Sequence, residues 1–257
     1  MRYEERPPSL EYAPYIERFW RFSVDDHDPP AFEHVIVPDG TISLAVIVIP
    51  TGQAFFNWVG PSAQAIRTEV HQGVRYFGAR FHAGAFRALT GLEAAALAER
   101  VLPLAVVSPD WAAAMQACVG ATDLTDFADC FEQAAQPWLD SAGPRDEAVC
   151  ELARRLIAAD GEGALPVHDL GVSERHLRRR FVREAGLSPK LFSRLRRVRR
   201  ACIDLVLHAQ AKAAVSADHG YADQPHFTRE LKAVFGLSPE MLKQYLEQIR
   251  HIDVGNI

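Results

Sequence analysis

The chain repeats itself at a distance of fifty residues. Residues 171–189 read GVSERHLRRRFVREAGLSP and residues 220–239 read GYADQPHFTRELKAVFGLSP. The shift aligns Ser173 with Asp223, His176 with His226, Leu177 with Phe227, Arg179 with Arg229 and Phe181 with Leu231, and it superposes the two Gly-Leu-Ser-Pro runs. Each copy spells a glycine turn, a cap residue, a helix, a glycine stop and a Ser-Pro start for a further helix. Gly171 and Gly220 suit a left-handed turn, and Ser173 and Asp223 suit an N-cap because their side-chain oxygens accept from otherwise unpaired helix N–H groups. Gly186 and Gly236 suit a left-handed stop, after which a first-turn proline gives up no helix bond.

A helix, a tight glycine turn and a second helix form the helix-turn-helix, whose second helix lies in a DNA major groove. The spacing predicts reading helices over 174–185 and 224–235. Leu177 and Phe181, and in the second copy Phe227 and Leu231, fall at i and i+4 and belong in the core. That leaves Arg175, Arg178 and Arg179, then Gln224, Thr228 and Arg229, facing outward. Arginine bonds guanine bidentately, glutamine bonds adenine, and threonine contacts the thymine methyl or accepts a hydrogen bond. These six are the expected base-reading residues.

Between the copies, Leu191, Leu195, Val198, Cys202 and Leu205 recur at steps of four and three, a single apolar seam. Arg194, Arg196, Arg197, Arg199 and Arg200 are expected on the remaining surface. A helix from Pro189 to His208 would be about 30 Å long, close to the roughly 34–36 Å turn of DNA, so a rod of this length suits two reading helices in successive grooves. Such a seam also fits a coiled coil, but five arginines with little acid between them would repel a like partner.

Charge follows the same division. Residues 1–150 hold 10 Arg, no Lys and 20 Asp or Glu, a net −10, whereas residues 151–257 hold 18 Lys or Arg against 13 acids, a net +5. Within 168–212 the excess is +8, from 12 bases and 4 acids. A folded basic module points to a polyanionic partner.

At 257 residues two domains are expected. The first, 1–142, starts with a short helix or arm around PYIERFWRF. Strand-like runs follow (FEHVIVP, TISLAVIVI, AFFNWVG, AIRTEV, VRYFGARFH), separated by Pro, Gly, Asp or Asn. From Gly84 the sequence turns Ala/Leu-rich and helical. The reading is an α+β domain, a small antiparallel sheet or barrel followed by helices. After a linker near 141–145, an all-α domain is expected over 146–250, with helix-turn-helix units at about 165–187 and 211–237.

GVSERHLRRRF, GLSPKLFSRLRRVRRA and GYADQPHFTRELKAVFGLSP resemble the AraC-type (AraC/XylS) transcriptional regulators, over about 165–246. The resemblance implies two helix-turn-helix units joined by a long helix, and a sequence-specific DNA-binding transcriptional regulator rather than an enzyme. By motif position it implies base contacts at Arg175, Arg178, Arg179, Gln224, Thr228 and Arg229 and backbone contacts at Ser173, Arg196 and Arg197. FEHVIVPDGTISLAV, VGPSAQAIRTEV and GVRYFGARFHAGAFRAL resemble the N-terminal domain that precedes this module in one branch of the family, taken to sense a ligand or mediate self-association. Double-stranded DNA is the expected partner; a small-molecule effector of the first domain and a second copy of the chain stay open. One departure stands out. Where the family has a supporting helix before the first turn, GALPVHDLG places Pro166 and Val167, so that helix spans little more than Pro166 to Leu170. Specificity is therefore expected to lean on the second unit.

The competing class is a metal-dependent enzyme in the first domain, with His27, His34, His71, His82, Asp39 and Glu69 as conceivable ligands. No metal-ligand spacing supports it, so no metal, cofactor or catalytic residue is expected. Phe55, Phe56, Trp58, Tyr76 and Phe81 form an aromatic row that is either core or pocket. Cys118, Cys130, Cys150 and Cys202 show neither zinc nor disulfide spacing. No run approaches the roughly 20 apolar residues of a membrane span, and MRYEERPPSL lacks a secretory pattern, so a cytoplasmic location and no membrane partner are expected.

Overall fold

The computed structural model describes residues 1–159, 167–206 and 212–252. Seven strands open the chain: β1 (Arg2–Arg6), β2 (Ile16–Ser23), β3 (Ala31–Ile36), β4 (Ser43–Val48), β5 (Ala54–Val59), β6 (Ile66–His71) and β7 (Arg75–Phe81). Helices α1 (Phe86–Thr90) and α2 (Ala94–Leu97), strand β8 (Val101–Pro103), and helices α3 (Leu104–Val107), α4 (Pro109–Ala114) and α5 (Leu124–Asp140) follow. The expected strand runs fall on β3 to β7. PYIERFWRF is not a helix or arm: it is β2, paired antiparallel with both β1 and β7.

The main sheet has the order β8-β5-β4-β7-β2-β1-β9, and β3 pairs with β6 apart from it. Alternation along β7 sends Phe77, Ala79 and Phe81 into a core closed by Phe127 and Phe131 of α5, and Tyr76, Gly78 and Arg80 to the opposite face. Gly78 is needed there, because a Cβ would meet the Trp20 ring at 2.3 Å. Trp58, Phe81 and Phe86 pack edge to face in the same core.

The second half comprises α6 (Glu147–Ala158), α7 (Glu174–Ala185), α8 (Pro189–Val206), α9 (Lys212–Asp218), α10 (Gln224–Phe235) and α11 (Pro239–Leu246). It is not wholly helical. Strand β9 (Arg250–Ile252) returns to the first domain and adds to β1 in parallel, with the Arg250 N–H donating to the Met1 carbonyl at 2.9 Å. Residues 167–170 form turns rather than a supporting helix, with Asp169 at a φ of 64°; Pro166 lies outside the described residues, as does the expected rod end at His208.

Two cores join the halves. Phe22, Val35 and Val70 of the sheets share one with Leu195, Val198 and Cys202 of α8 and Phe227 and Leu231 of α10. Ala83 shares another with Val149, Leu152, Leu177, Phe181 and Phe192. All four cysteines are free, and no helix among the described residues is long and apolar enough to cross a membrane.

Candidate nucleic-acid interface

The expected reading helices are α7 and α10, each fixed by its local signals. The Ser173 hydroxyl accepts from the His176 N–H and the Asp223 carboxylate from the His226 N–H, and both stops, Gly186 and Gly236, are left-handed. Leu177, Phe181, Phe227 and Leu231 are fully buried. Their burial turns Arg175, Arg178, Arg179, Gln224 and Arg229 to solvent, with Thr228 half-buried.

These outward residues differ in freedom. Arg178 is bonded by Glu174 one turn earlier, at 2.8 and 2.6 Å, a partner that sequence reasoning did not weigh. The Arg179 guanidinium lies 3.2 Å from the His176 ring, a neighbour without a full compensating charge. On α10, buried Glu230 bonds both Arg194, at 2.8 Å, and Arg197, at 3.0 Å, which locks the second reading helix to the rod α8. The Arg197 guanidinium also lies over the Tyr221 ring.

The arginines of α8 are not the surface row that the sequence suggested. Arg196 is only 4% exposed and grips Glu17 of β2 with two bonds of 2.8 and 2.7 Å. Arg199 reaches Glu5 of β1 at 3.1 Å; Glu5 also takes Arg80 at 3.1 Å, and Arg80 takes Asp39 at 2.6 Å. Three guanidiniums and three carboxylates thus neutralise one another between the domains. Burial opposes ionisation of Glu17, but Arg196 overrides it and holds the carboxyl far below the usual carboxylate range. Against the same burial, Arg80 and Arg199 keep Glu5 low, and Arg80 with Arg196 keeps Asp39 low. In this arrangement Arg196 is buried against Glu17 and Arg197 is largely covered. Ser173, at the exposed start of α7, is the one expected backbone contact left open to solvent. Glu17 and Glu5, which bury Arg196 and Arg199, lie more than a hundred residues away along the chain, so no local pattern announces them.

The first domain also grips the ends of both reading helices, through residues 61–67 and the start of α2. Pro61 and the Ala94 carbonyl crowd Gly186 so closely that a Cβ there would meet them at 2.6 and 3.0 Å. The Ala65 N–H donates to the Val234 carbonyl at 2.8 Å and Arg67 to the Phe235 carbonyl at 3.1 Å. Both carbonyls belong to the last turn of α10, which has no internal donors for them. Nothing in the sequence marks this segment as a support for the helices: it shows only the Gly-Pro-Ser turn after β5 and the strand-like start of β6.

The conceivable metal ligands do not assemble. His34 is half-buried against Tyr245, His71 pairs with Glu69 at the surface, and Asp39 belongs to the arginine network. Among the described residues the one grouping of ligand-type atoms is Asp25, His27 and Asp28, beside the amino group of Met1. Of the aromatic row, Phe56, Trp58 and Phe81 are core, Phe55 is exposed and Tyr76 alone lines a cavity.

Comparison with known families matches residues 167–245 to "Helix-turn-helix domain" and residues 4–103 to "Domain of unknown function (DUF6597)". Residues 167–245 are an AraC-type helix-turn-helix domain. The chain is accordingly a DNA-binding transcriptional regulator with a DUF6597 domain at its start. Comparison with curated proteins gave no match. Solved structures of ToxT from Vibrio cholerae align at 11% identity. One, in a P21 crystal form, has a TM-score of 0.44 and covers 88% of this chain and 97% of that one. Another, from strain O395, has a TM-score of 0.43 with 89% and 96% covered.

Proposed function

We propose that α7 and α10 enter successive major grooves on one face of a duplex, with Arg175, Arg178, Arg179, Gln224, Thr228 and Arg229 reading bases and Ser173 contacting the backbone. The observation that carries this is the shared construction of the two helices: the same caps and stops and the same buried pair, with guanidinium and amide groups left outward on each. Arg196 and Arg197 are left out of the contact set, because their charges are already taken by Glu17 and Glu230. Binding of a fluorescent duplex at increasing salt tests the reading. Each phosphate that the basic module neutralises should steepen the fall of log K against log salt by about 0.9; a flat response would overturn it.

A cavity of about 290 Å³ is the proposed seat of a small-molecule effector. Trp20, Phe22, His34 and Tyr76 line it from the first domain, and Cys202 and Ile203 from α8. A wall shared by both domains lets an occupant bear on their contact. Whether two copies of the chain bind together will show as a doubled, symmetric recognition sequence.

A further inference from the structure

Beside α7 lies an open cleft of about 450 Å³ whose walls come from both domains. Arg179, Arg180 and Arg183 line it from α7, Arg87 from α1, and Arg145 and Asp146 from the connector before α6. The supply of carboxylates is short. Buried Glu184 serves both Arg87, at 2.8 Å, and Arg183, at 2.9 Å. Asp146 serves Arg180, and Glu147 serves Arg145 at 2.8 Å. Arg179 has the His176 ring instead of an acid. Five guanidiniums against three carboxylates leave two positive charges unmatched, on side chains that in Arg87 and Arg183 are 38% and 44% exposed. Planar guanidiniums converging on an open cleft are suited to a phosphate, whose oxygens accept paired N–H bonds.

We infer that this cleft seats a backbone phosphate of the bound duplex, and that Arg87 of the first domain is a direct DNA contact. The inference rests on the DNA-binding reading above. The source is the duplex, rather than a free phosphorylated molecule, because Arg179 belongs both to the cleft and to the outward face of α7. A helix lying in a major groove has a phosphate strand along its flank. The first domain then does more than carry the DNA-binding module: it extends the grip past the edge of the helix-turn-helix match, which begins at residue 167.

The test uses the full chain and the salt dependence of duplex binding. Arg87→Gln leaves Glu184 its second partner, Arg183, and should make the log–log slope shallower by about 0.9, the loss of one phosphate contact, without changing sequence preference. Arg154→Gln, on an exposed arginine of α6 outside the cleft, should leave the slope unchanged. Thermal melting checks that each variant is folded, and Arg145→Gln replaces Arg87→Gln if the latter is not. A wild-type slope retained by folded Arg87→Gln overturns the cleft assignment alone. A wild type with no salt-dependent binding overturns the DNA reading, and the cleft assignment falls with it. Pyrophosphate titrated without DNA separates the sources: no rise in melting temperature is expected. A rise abolished by Arg87→Gln, with an unchanged slope, would assign the cleft to a free phosphorylated molecule instead.

Discussion

The two helix-turn-helix units share their caps, stops and buried pairs, but their reading helices are braced from different sides. Helix α10 is braced within its own module: α9 precedes it, and Glu230 ties it to Arg194 and Arg197 of α8. Helix α7 has turns at 167–170 where a supporting helix would stand, and its ties run outward. Arg180 bonds Asp146 of the connector, Glu184 takes Arg87 of the first domain, and Gly186 sits against Pro61 and Ala94. Both reading helices pack on their own module, α7 on Leu152 and Phe192, and both touch the first domain, α10 through Ala65 and Arg67; what differs is the buried ion pairing, which for α10 stays on α8 and for α7 runs to the connector and the first domain.

The largest expected effect follows from the internal brace. Glu230→Ala would leave Arg194 and Arg197 without their shared acid at a buried site, at a cost of about 3–5 kcal/mol, visible as a lower denaturation midpoint. A loss under about 1 kcal/mol would show that α10 is not held this way. Acid should act next, through His34. Burial pushes its imidazole from 6.5 down to about 4, where it faces the Tyr245 hydroxyl of α11. The unfolded chain takes up that proton first as pH falls, so the contribution is complete above pH 6.5 and is lost toward pH 4, on the order of 3 kcal/mol in all. Amide exchange along α11 should quicken over that window in the wild type and not in His34→Phe.

Smaller still are the reading contacts. Gln224→Ala and Arg229→Ala should each remove about 1–3 kcal/mol of base discrimination, measured as binding to a preferred against a scrambled duplex. Arg178→Ala should remove less, because Arg178 is already engaged by Glu174. If Arg178→Ala abolished discrimination while the α10 variants kept it, the ranking of the two units would be reversed. The caps are smallest: Asp223→Ala and Ser173→Ala should each cost about 1 kcal/mol, read as faster exchange in the first turn of the helix concerned.

Local signals explain what could be read from the sequence. The caps at Ser173 and Asp223, the stops at Gly186 and Gly236 and the spacing of Leu177 with Phe181 all act within a few residues, and so both reading helices were legible. Strands β3 to β7 were legible because their β-branched and aromatic runs end at turn residues. β2 was not: Ile16, Phe19, Trp20 and Phe22 fit a helical stripe as well as a strand, and only the distant partners β1 and β7 decide between them. The burial of Arg196 and Arg199 was hidden for the same reason, since Glu17 and Glu5 meet them only in the folded chain. Nor does anything near residue 250 mark a strand; Arg250–Ile252 becomes one by adding to the free edge of β1.

Selection of bound duplexes from a random library tests the central claim most directly. Two braced reading helices on one rod predict two enriched blocks with centres about 10 base pairs apart, on the same face of the DNA. One enriched block alone, or two whose spacing varies freely, would contradict it.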